Sequence, residues 1–342
     1  MELQVLWFAL WALLWTVYFI LDGFVLGLGM LFGRLSRSET ERRILLRSVG
    51  PVWNGNEVWL VTAGGATFAA FPTTYALMFS YFYTALLLLL FSLIVRGVAI
   101  EFRAKVDTTA WRTTCDGAIA VASFLPAFLF GVAFGNIFRG LPMDAVGYHG
   151  SFLGLLNPYG LLTGVLFVLL FAHHGALYAS VKTVGALSDR ARQAARRLWP
   201  WVLVVALAFL AASKPATRLS DNYLHWPVLA VIPLIAVAAL AAIRFFESKG
   251  SLPAAFAASC VTILFVTFTG VAGLFPSLIP SSIDPAYSLT IYNSSSSPYT
   301  LAVMTVAALI FVPIVIAYKV WVYRVFSAPV EEKDVLTDTG MY

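Results

Sequence analysis

Charge is scarce in this sequence. Asp, Glu, Lys and Arg make up only 11% of the 342 residues, whereas 60% of the residues are hydrophobic. A soluble domain cannot bury so much apolar surface and still cover itself with polar groups. The composition therefore excludes a soluble protein. It predicts one integral membrane domain over residues 1–342, of the all-α polytopic class.

Cysteine is also scarce, and this absence bears on cofactors. The chain has two cysteines, Cys115 and Cys260, far apart in sequence and without a CxxC or CxxCH motif. Covalent haem attachment and a thiolate metal centre are therefore not supported. We expect both cysteines to be small packing residues and expect no metal site. No soluble basic domain is left to bind nucleic acid.

Long apolar runs are abundant instead. A helix needs about 20 apolar residues to cross a bilayer, and several runs here reach that length. A faint internal similarity between residues 131–135 and 270–274 fits two four-helix bundles plus one extra helix, the arrangement that we predict, and it also fits chance. We predict nine transmembrane helices, near residues 4–32, 52–71, 75–95, 116–138, 159–181, 198–213, 226–243, 253–275 and 300–323.

The positive charges follow an alternating pattern along the chain. All but three of the 22 Lys and Arg residues fall on alternate connections between spans; the exceptions are Arg139, Lys214 and Arg218. Basic loops resist translocation, so the rich side is expected to be cytoplasmic. The amino terminus is then outside and the carboxyl terminus is cytoplasmic. That arrangement requires an odd number of crossings, which nine satisfies.

Two acids are predicted to lie at membrane depth. At 1.5 Å per residue, Glu57 lies about 9 Å and Asp22 about 16 Å from the cytoplasmic ends of their spans. Ionisable groups at such depths are functional candidates, and carboxyls at staggered depths suit a proton relay. Asn54 shares a helix face with Glu57 and could support it. In the alternative interpretation, both acids pair with Arg96 or with backbone groups and only fix the helix packing.

Two adjacent histidines, His173 and His174, fall in the fifth span. They point about 100° apart on a helix and cannot both face one partner. A haem within this chain would need an axial ligand from a span. A buried histidine in a bundle is more often hydrogen-bonded, so the haem-ligand interpretation is the less favoured one.

Several long motifs resemble one family, the second and smaller core subunit of bacterial cytochrome bd-type quinol oxidases. The resemblance covers essentially the whole chain. The motifs are DGF at 22–24, GLGML at 27–31, ERR at 41–43, PVWNGNEVWL at 51–60, GVAFGN at 131–136, LNPYGL at 156–161, FP at 275–276, PSS at 280–282 and SLT at 288–290.

This resemblance implies a function in the aerobic respiratory chain, in the bacterial plasma membrane. Complexes of this family oxidise quinol on the outer side, carry electrons through haems b and d, and reduce dioxygen with protons from the cytoplasm. The haems and the quinol-oxidising loop belong to the larger partner subunit. This chain would be the structural partner, with roles in proton or oxygen access or in holding a structural quinone. Small accessory subunits and membrane lipid are further expected partners.

The sequence departs from some relatives at two positions. Those relatives carry acids at the places of Val25 and Asn54, and a proton path has been attributed to them. Neither residue is acidic here, so we expect Glu57 with Asp22 to serve instead.

The rival hypothesis is a secondary transporter of the inner membrane, since such proteins are also polytopic bundles with midspan acids. No span is clearly interrupted by paired Gly and Pro at mid-membrane, and the inner charges are few. Both features disfavour transport.

Overall fold

The structure, a computed structural model, describes residues 2–336, which are almost entirely helical. Three short 3₁₀ turns and two short strands complete the secondary structure of this part. The helices are α1 (Glu2–Leu21), α2 (Gly23–Leu35), α3 (Glu39–Val49), α4 (Trp53–Ala70), α5 (Pro72–Tyr81), α6 (Tyr83–Phe102), α7 (Thr109–Arg139), α8 (Pro158–Lys182), α9 (Gly185–Ala216), α10 (Leu219–His225), α11 (Val231–Ser248), α12 (Leu252–Leu274), α13 (Pro298–Val325) and α14 (Glu332–Leu336).

The all-α polytopic class is confirmed, while the count of nine crossings stays a prediction. Eight helical segments within residues 2–336 are long and apolar enough to cross a membrane. These segments are Glu2–Leu35, Tyr83–Phe102, Thr109–Arg139, Pro158–Lys182, Gly185–Ala216, Pro227–Ser248, Leu252–Leu274 and Pro298–Val325. The predicted second span, 52–71, corresponds to α4. Its 18 residues include two asparagines and Glu57, so it is not apolar enough to join the eight.

Three predicted spans differ from the observed helices. The first span is two helices, because α1 and α2 meet at a turn at Asp22. The span at 75–95 is divided into α5 and α6 at Phe82. The short span at 198–213 lies inside the 32-residue α9. This helix also includes most of residues 182–197, a basic segment that the sequence predicts as a connection. Basic residues such as Arg and Lys are good helix formers, so a span extends readily beyond the bilayer.

Close contact between α2 and α8 holds the centre of the molecule together. A Cβ atom on Gly27 would lie 1.7 Å from the carbonyl oxygen of Phe171, and one on Gly175 would lie 2.3 Å from the backbone nitrogen of Leu28. Only glycine fits at either position. In lipid, the hydrophobic effect does not drive helices together, because lipid tails are as apolar as the side chains. Small residues at the contact instead allow the close van der Waals packing that holds the helices.

Aromatic side chains fill the space around this contact. The Phe19 ring of α1 is 5.1 Å from the ring of Phe167 and 5.3 Å from that of Phe134, both in edge-to-face geometry. This arrangement joins α1 to α7 and α8. Helix α13, in contrast, packs loosely on the outside of the bundle, since only 6% of its most apolar 18 residues are buried.

The segment between α12 and α13, which the charge pattern predicts to be external, is ordered. Strands β1 (Ser277–Ile279) and β2 (Leu289–Thr290) pair antiparallel, and Ser277 lies opposite Thr290. The Thr74 hydroxyl donates to the Ser294 hydroxyl at 2.8 Å, which fastens the segment to α5.

Candidate functional site

The turn between α1 and α2 places Asp22 in the interior. Its backbone N–H donates to the Tyr18 carbonyl at 2.8 Å, and its own carbonyl accepts from Leu26 N–H at 2.8 Å. The helical hydrogen bonds therefore continue through the turn. The Tyr18 hydroxyl donates to Asp22 Oδ2 at 3.1 Å. Asp22 is fully buried, so its carboxyl depends entirely on protein groups for hydrogen bonds.

Arg96, from α6, supplies the main partner of Asp22. Its Nη2 lies 3.0 Å from Asp22 Oδ1 and 2.9 Å from Oδ2. The same nitrogen also donates to Glu57 Oε1, on α4. One guanidinium nitrogen thus joins the two acids, which is the pairing with Arg96 that the alternative, packing interpretation of the sequence expected. Arg96 is fully buried, and within residues 2–336 its Nε and Nη1 have no hydrogen-bond partner.

Glu57 differs from Asp22 in its access to the surface. Its side chain is 24% exposed, whereas those of Asp22 and Arg96 are both 0% exposed. The three groups therefore form a short line from the protein interior to the outer side of α4. We call Asp22, Arg96 and Glu57 the buried triad.

Asparagine 56, which the sequence analysis missed, is the polar neighbour of the triad. Its Nδ2 donates to the Leu21 carbonyl at 2.8 Å, and its Oδ1 accepts from the Tyr323 hydroxyl at 3.0 Å. Asn54 is instead exposed on the outer side of α4 and stands away from this network. The signal that could have found Asn56 is the spacing of three or four residues that places it in one buried stripe with Trp53 and Trp59.

The triad carries one more carboxylate than cation when all three groups are ionised. A second cation, Lys319 of α13, lies nearby. It donates to the Gly55 carbonyl and lies 3.4 Å from Asn56 Oδ1, and within the described residues it forms no salt bridge with Asp22 or Glu57. Uptake of one proton by the triad makes it neutral, and a neutral group of charges is cheaper to hold in a membrane interior.

The histidine geometry argues against a haem ligand at His174. Its Nδ1 lies 2.6 Å from the Ser259 hydroxyl and its Nε2 lies 3.1 Å from the Ile20 carbonyl, so both ring nitrogens are engaged. The ring also stacks on Phe256 at 4.7 Å. His173 is buried too, and its Nε2 lacks a hydrogen-bond partner within residues 2–336. Over the same residues, His, Cys, Asp and Glu side chains form no group of three that could hold a metal.

A second group of charges lies where the end of α6 meets the first turns of α3 and α7, on the side that the positive-charge pattern predicts to be cytoplasmic. The Arg103 guanidinium donates to both Glu39 oxygens, at 2.7 and 2.9 Å, and its Nε lies 2.5 Å from Asp116 Oδ1. The hydrogen bond from Arg103 holds the pKa of Glu39 below its ordinary value of 4.5. From the sequence, Arg103 counted only as one of the basic residues of a connection, and neither Glu39 nor Asp116 was singled out. The pairing of Arg103 with Glu39 brings together residues 64 positions apart, which only the fold decides.

The chain matches a protein-family model along most of its length. The model describes the cytochrome bd terminal oxidase subunit II and matches residues 3–326. The cytochrome bd ubiquinol oxidase subunit 2 of Bacillus subtilis (strain 168) is 38% identical over 341 residues, covering 98% of this chain and 99% of the relative. The cytochrome bd-I ubiquinol oxidase subunit 2 of Escherichia coli (strain K12) is 36% identical, with 98% and 97% covered.

A solved structure shares the fold. The structure of the bd oxidase from Geobacillus thermodenitrificans aligns with a TM-score of 0.78 over 95% of this chain and 99% of that chain, at 19% identity. These similarities do not favour the transporter hypothesis. They make the chain a multi-pass bacterial membrane protein that assembles with a first subunit. This chain belongs to the cytochrome bd terminal oxidase subunit II family, and is a subunit of a quinol-oxidising oxidoreductase of the respiratory chain.

Proposed function

We propose that this subunit crosses the membrane nine times, with its amino terminus outside, and passes protons from the cytoplasmic side to the oxygen-reducing centre of its partner. The observation that carries this proposal is the single Arg96 nitrogen that contacts both carboxylates. Asp22 is sealed in the interior, while Glu57 reaches the outer side of α4. A proton taken up by the triad can reside on either carboxyl, since both contact one Arg96 nitrogen, and the partly exposed Glu57 can release it towards the partner without its crossing lipid.

The partner subunit would cover α4. This helix is too polar for a lipid-facing span, and its outer side carries Asn54, Thr62 and Gly65 among apolar residues. Polar groups within a membrane face protein or water, not lipid. Small residues on the same side permit close helix contact. Glu57 would then open towards the partner, as the relay requires.

Haems b and d are expected on the larger subunit, where they would supply electron transfer from quinol to dioxygen. The residues of this chain agree with that placement, since both nitrogens of His174 are engaged in hydrogen bonds. A structural quinone has a suitable location. A largely apolar cleft of about 850 Å³ lies between α1, α4 and α13, and Trp7, Leu14 and Phe311 are among its lining residues. Small accessory subunits and membrane lipid would complete the complex.

The test of the relay is Glu57→Gln in the purified complex. Glutamine keeps the size and a hydrogen bond to Arg96 but cannot donate and regain a proton at neutral pH. Oxygen reduction is expected to slow by about tenfold or more, since loss of a proton-transfer group usually costs at least that much. The haem absorption spectrum is expected to stay unchanged, because the haems are on the partner.

The matched control is Glu101→Gln, the same substitution at an exposed glutamate of α6 outside the triad. It is expected to retain normal turnover. Wild-type turnover and membrane potential in the Glu57→Gln complex, with intact haems, would exclude the relay.

A further inference from the structure

The three exposed cations on the external side are unevenly distributed. Two of them, Arg139 at the end of α7 and Arg218 beside α10, line the same cavity. The third, Lys214, lies outside it. The cavity has a volume of about 500 Å³ and also carries several Ser and Thr hydroxyls. The two arginines thus lie together on the predicted external face, where the chain has few Lys and Arg residues.

Neither guanidinium is used by the fold. Within residues 2–336, the side chains of Arg139 and Arg218 form no hydrogen bond and no ion pair, and both residues are exposed. This contrasts with Arg96 and Arg103, each of which holds two carboxylates. One acid, Asp221, also lines the cavity, so its charged lining residues sum to one positive charge.

The walls of the cavity are fixed in place. Leu141 N–H donates to the Pro280 carbonyl and Ser282 N–H donates to the Leu141 carbonyl, both at 2.9 Å. Asn222 Nδ2 donates to the Phe275 carbonyl at 2.5 Å and also reaches the last turn of α12. The end of α7, α10 and the external segment are thus tied together.

Gly140 allows this arrangement. Its φ of +89° lies in a region that other residues avoid, and a Cβ there would come within 3.3 Å of the Pro280 carbonyl oxygen and of Ser282 N. The chain therefore turns sharply just after Arg139. A cavity that is already formed loses little free energy of ordering when a ligand binds.

We propose that this cavity binds a phosphate group at the outer surface of the membrane. Arginine presents several N–H donors in a planar array that matches phosphate oxygens, and two unpaired guanidinium groups suit a group with more than one oxygen. The neighbouring hydroxyls add donors. The phosphate belongs either to a phospholipid headgroup or to a free phosphate ion. The proposal does not depend on the proton relay, since the cavity and the triad share no residue.

The test uses the purified two-subunit complex in detergent, with the double variant Arg139→Gln and Arg218→Gln and the matched control Lys214→Gln. Bound phosphatidylglycerol and phosphatidylcholine are counted by native mass spectrometry after limited delipidation. Binding of radiolabelled inorganic phosphate is measured by equilibrium dialysis. The haem spectrum and elution volume verify that each variant is assembled.

We expect the double variant to bind about tenfold less of one phosphate source than the wild-type complex, while Lys214→Gln binds normally. Loss of lipid alone identifies a headgroup site, and loss of inorganic phosphate alone identifies a free-ion site. The proposal would be overturned if the assembled double variant bound as much lipid and as much inorganic phosphate as the wild-type complex. Absence of binding to the wild type, or failure of the double variant to assemble while Lys214→Gln assembles, would overturn it as well.

Discussion

Single residues carry the chemistry of this subunit because the membrane makes each buried charge expensive. Arg96 and Asp22 are fully buried, and each is kept there by the other. A buried ion pair contributes little compared with a well-packed apolar pair, but removal of one partner leaves an isolated charge. The triad is therefore more sensitive to loss of its cation than to loss of one of its two acids.

Arg96→Gln is expected to destabilise the subunit by about 3–5 kcal/mol, because Asp22 and Glu57 lose their common partner. The measurement is the temperature at which the purified complex loses its haem absorption. Glu57→Gln serves as the comparison and is expected to lose much less, since Arg96 still contacts Asp22. Equal thermal stability of the Arg96→Gln and wild-type complexes would contradict this account.

The ion pair of Glu39 and Arg103 predicts a pH dependence. The pKa of Glu39 is lowered by the hydrogen bond from Arg103, so the folded state favours the ionised carboxylate. Its contribution to stability is complete above the ordinary pKa of 4.5 and is lost as the pH falls through the lowered value.

Glu39→Gln is accordingly expected to lower the thermal stability of the complex at about pH 6, with a smaller difference from the wild type at about pH 4. The same thermal loss of haem absorption measures both. A difference that grows on acidification would have the wrong sign and would exclude this assignment.

At the scale of elements, the contact between α2 and α8 is the most demanding in the molecule. It requires glycine on both helices, at Gly27 and Gly175, because each faces backbone atoms that cannot move aside. The same helix α2 contains Gly33, where an added Cβ would meet no atom within 4 Å. A comparison of Gly27 with Gly33 therefore separates the effect of the helix–helix contact on stability from the effect of helix propensity.

Gly27→Ala is expected to destabilise the complex by at least about 1–3 kcal/mol through overpacking of α2 against α8. Gly33→Ala is expected to be neutral or slightly stabilising, by about 0.5–1 kcal/mol, since alanine is the better helix former. Thermal loss of haem absorption again provides the measurement. A Gly27→Ala complex as stable as Gly33→Ala would show that the close approach is not required.

Helix α4 shows how far sequence patterns reach at this scale. The deep position of Glu57 was predicted from its distance along the helix, and α4 ends as the pattern requires, since Phe71 precedes a proline and leaves the helical region. The amide predicted to lie beside Glu57 is that of Asn54, which is exposed, whereas the buried amide of α4 is that of Asn56, bonded to Leu21 and Tyr323. Both asparagines lie on the same short helix, and only the neighbours α1 and α13 decide which of them is buried.

At the scale of the whole molecule, the distribution of Lys and Arg predicts the orientation in the membrane. Val146 lies on the external side in this orientation and is 88% exposed. Lys249 lies in a connection on the cytoplasmic side, between α11 and α12. Three predicted spans, 159–181, 198–213 and 226–243, separate the two positions, so they are expected on opposite faces, with Val146 outside if the amino terminus is outside and nine spans cross.

In a chain with Cys115 and Cys260 replaced by alanine, Val146→Cys is expected to react in intact cells with a thiol reagent that does not cross membranes. Lys249→Cys is expected to react only after the cells are opened. Labelling of Lys249→Cys in intact cells would exclude the proposed topology. Normal haem absorption of both variants is the control for assembly.

The sequence by itself determined that this is a polytopic all-α membrane protein and which family it belongs to. It also predicts which side faces the cytoplasm. The length of an apolar run and the charge of a loop are local properties of the chain, so they can be recognised from the sequence without the tertiary structure. The tertiary structure alone decided that Asp22, Glu57 and Arg96 share one nitrogen, that Arg103 pairs with Glu39, and that Arg139 and Arg218 meet at one cavity. The hydrogen-bonded pairs among these residues are 39 to 74 positions apart in the sequence, and helix packing, which no local pattern encodes, sets their distances.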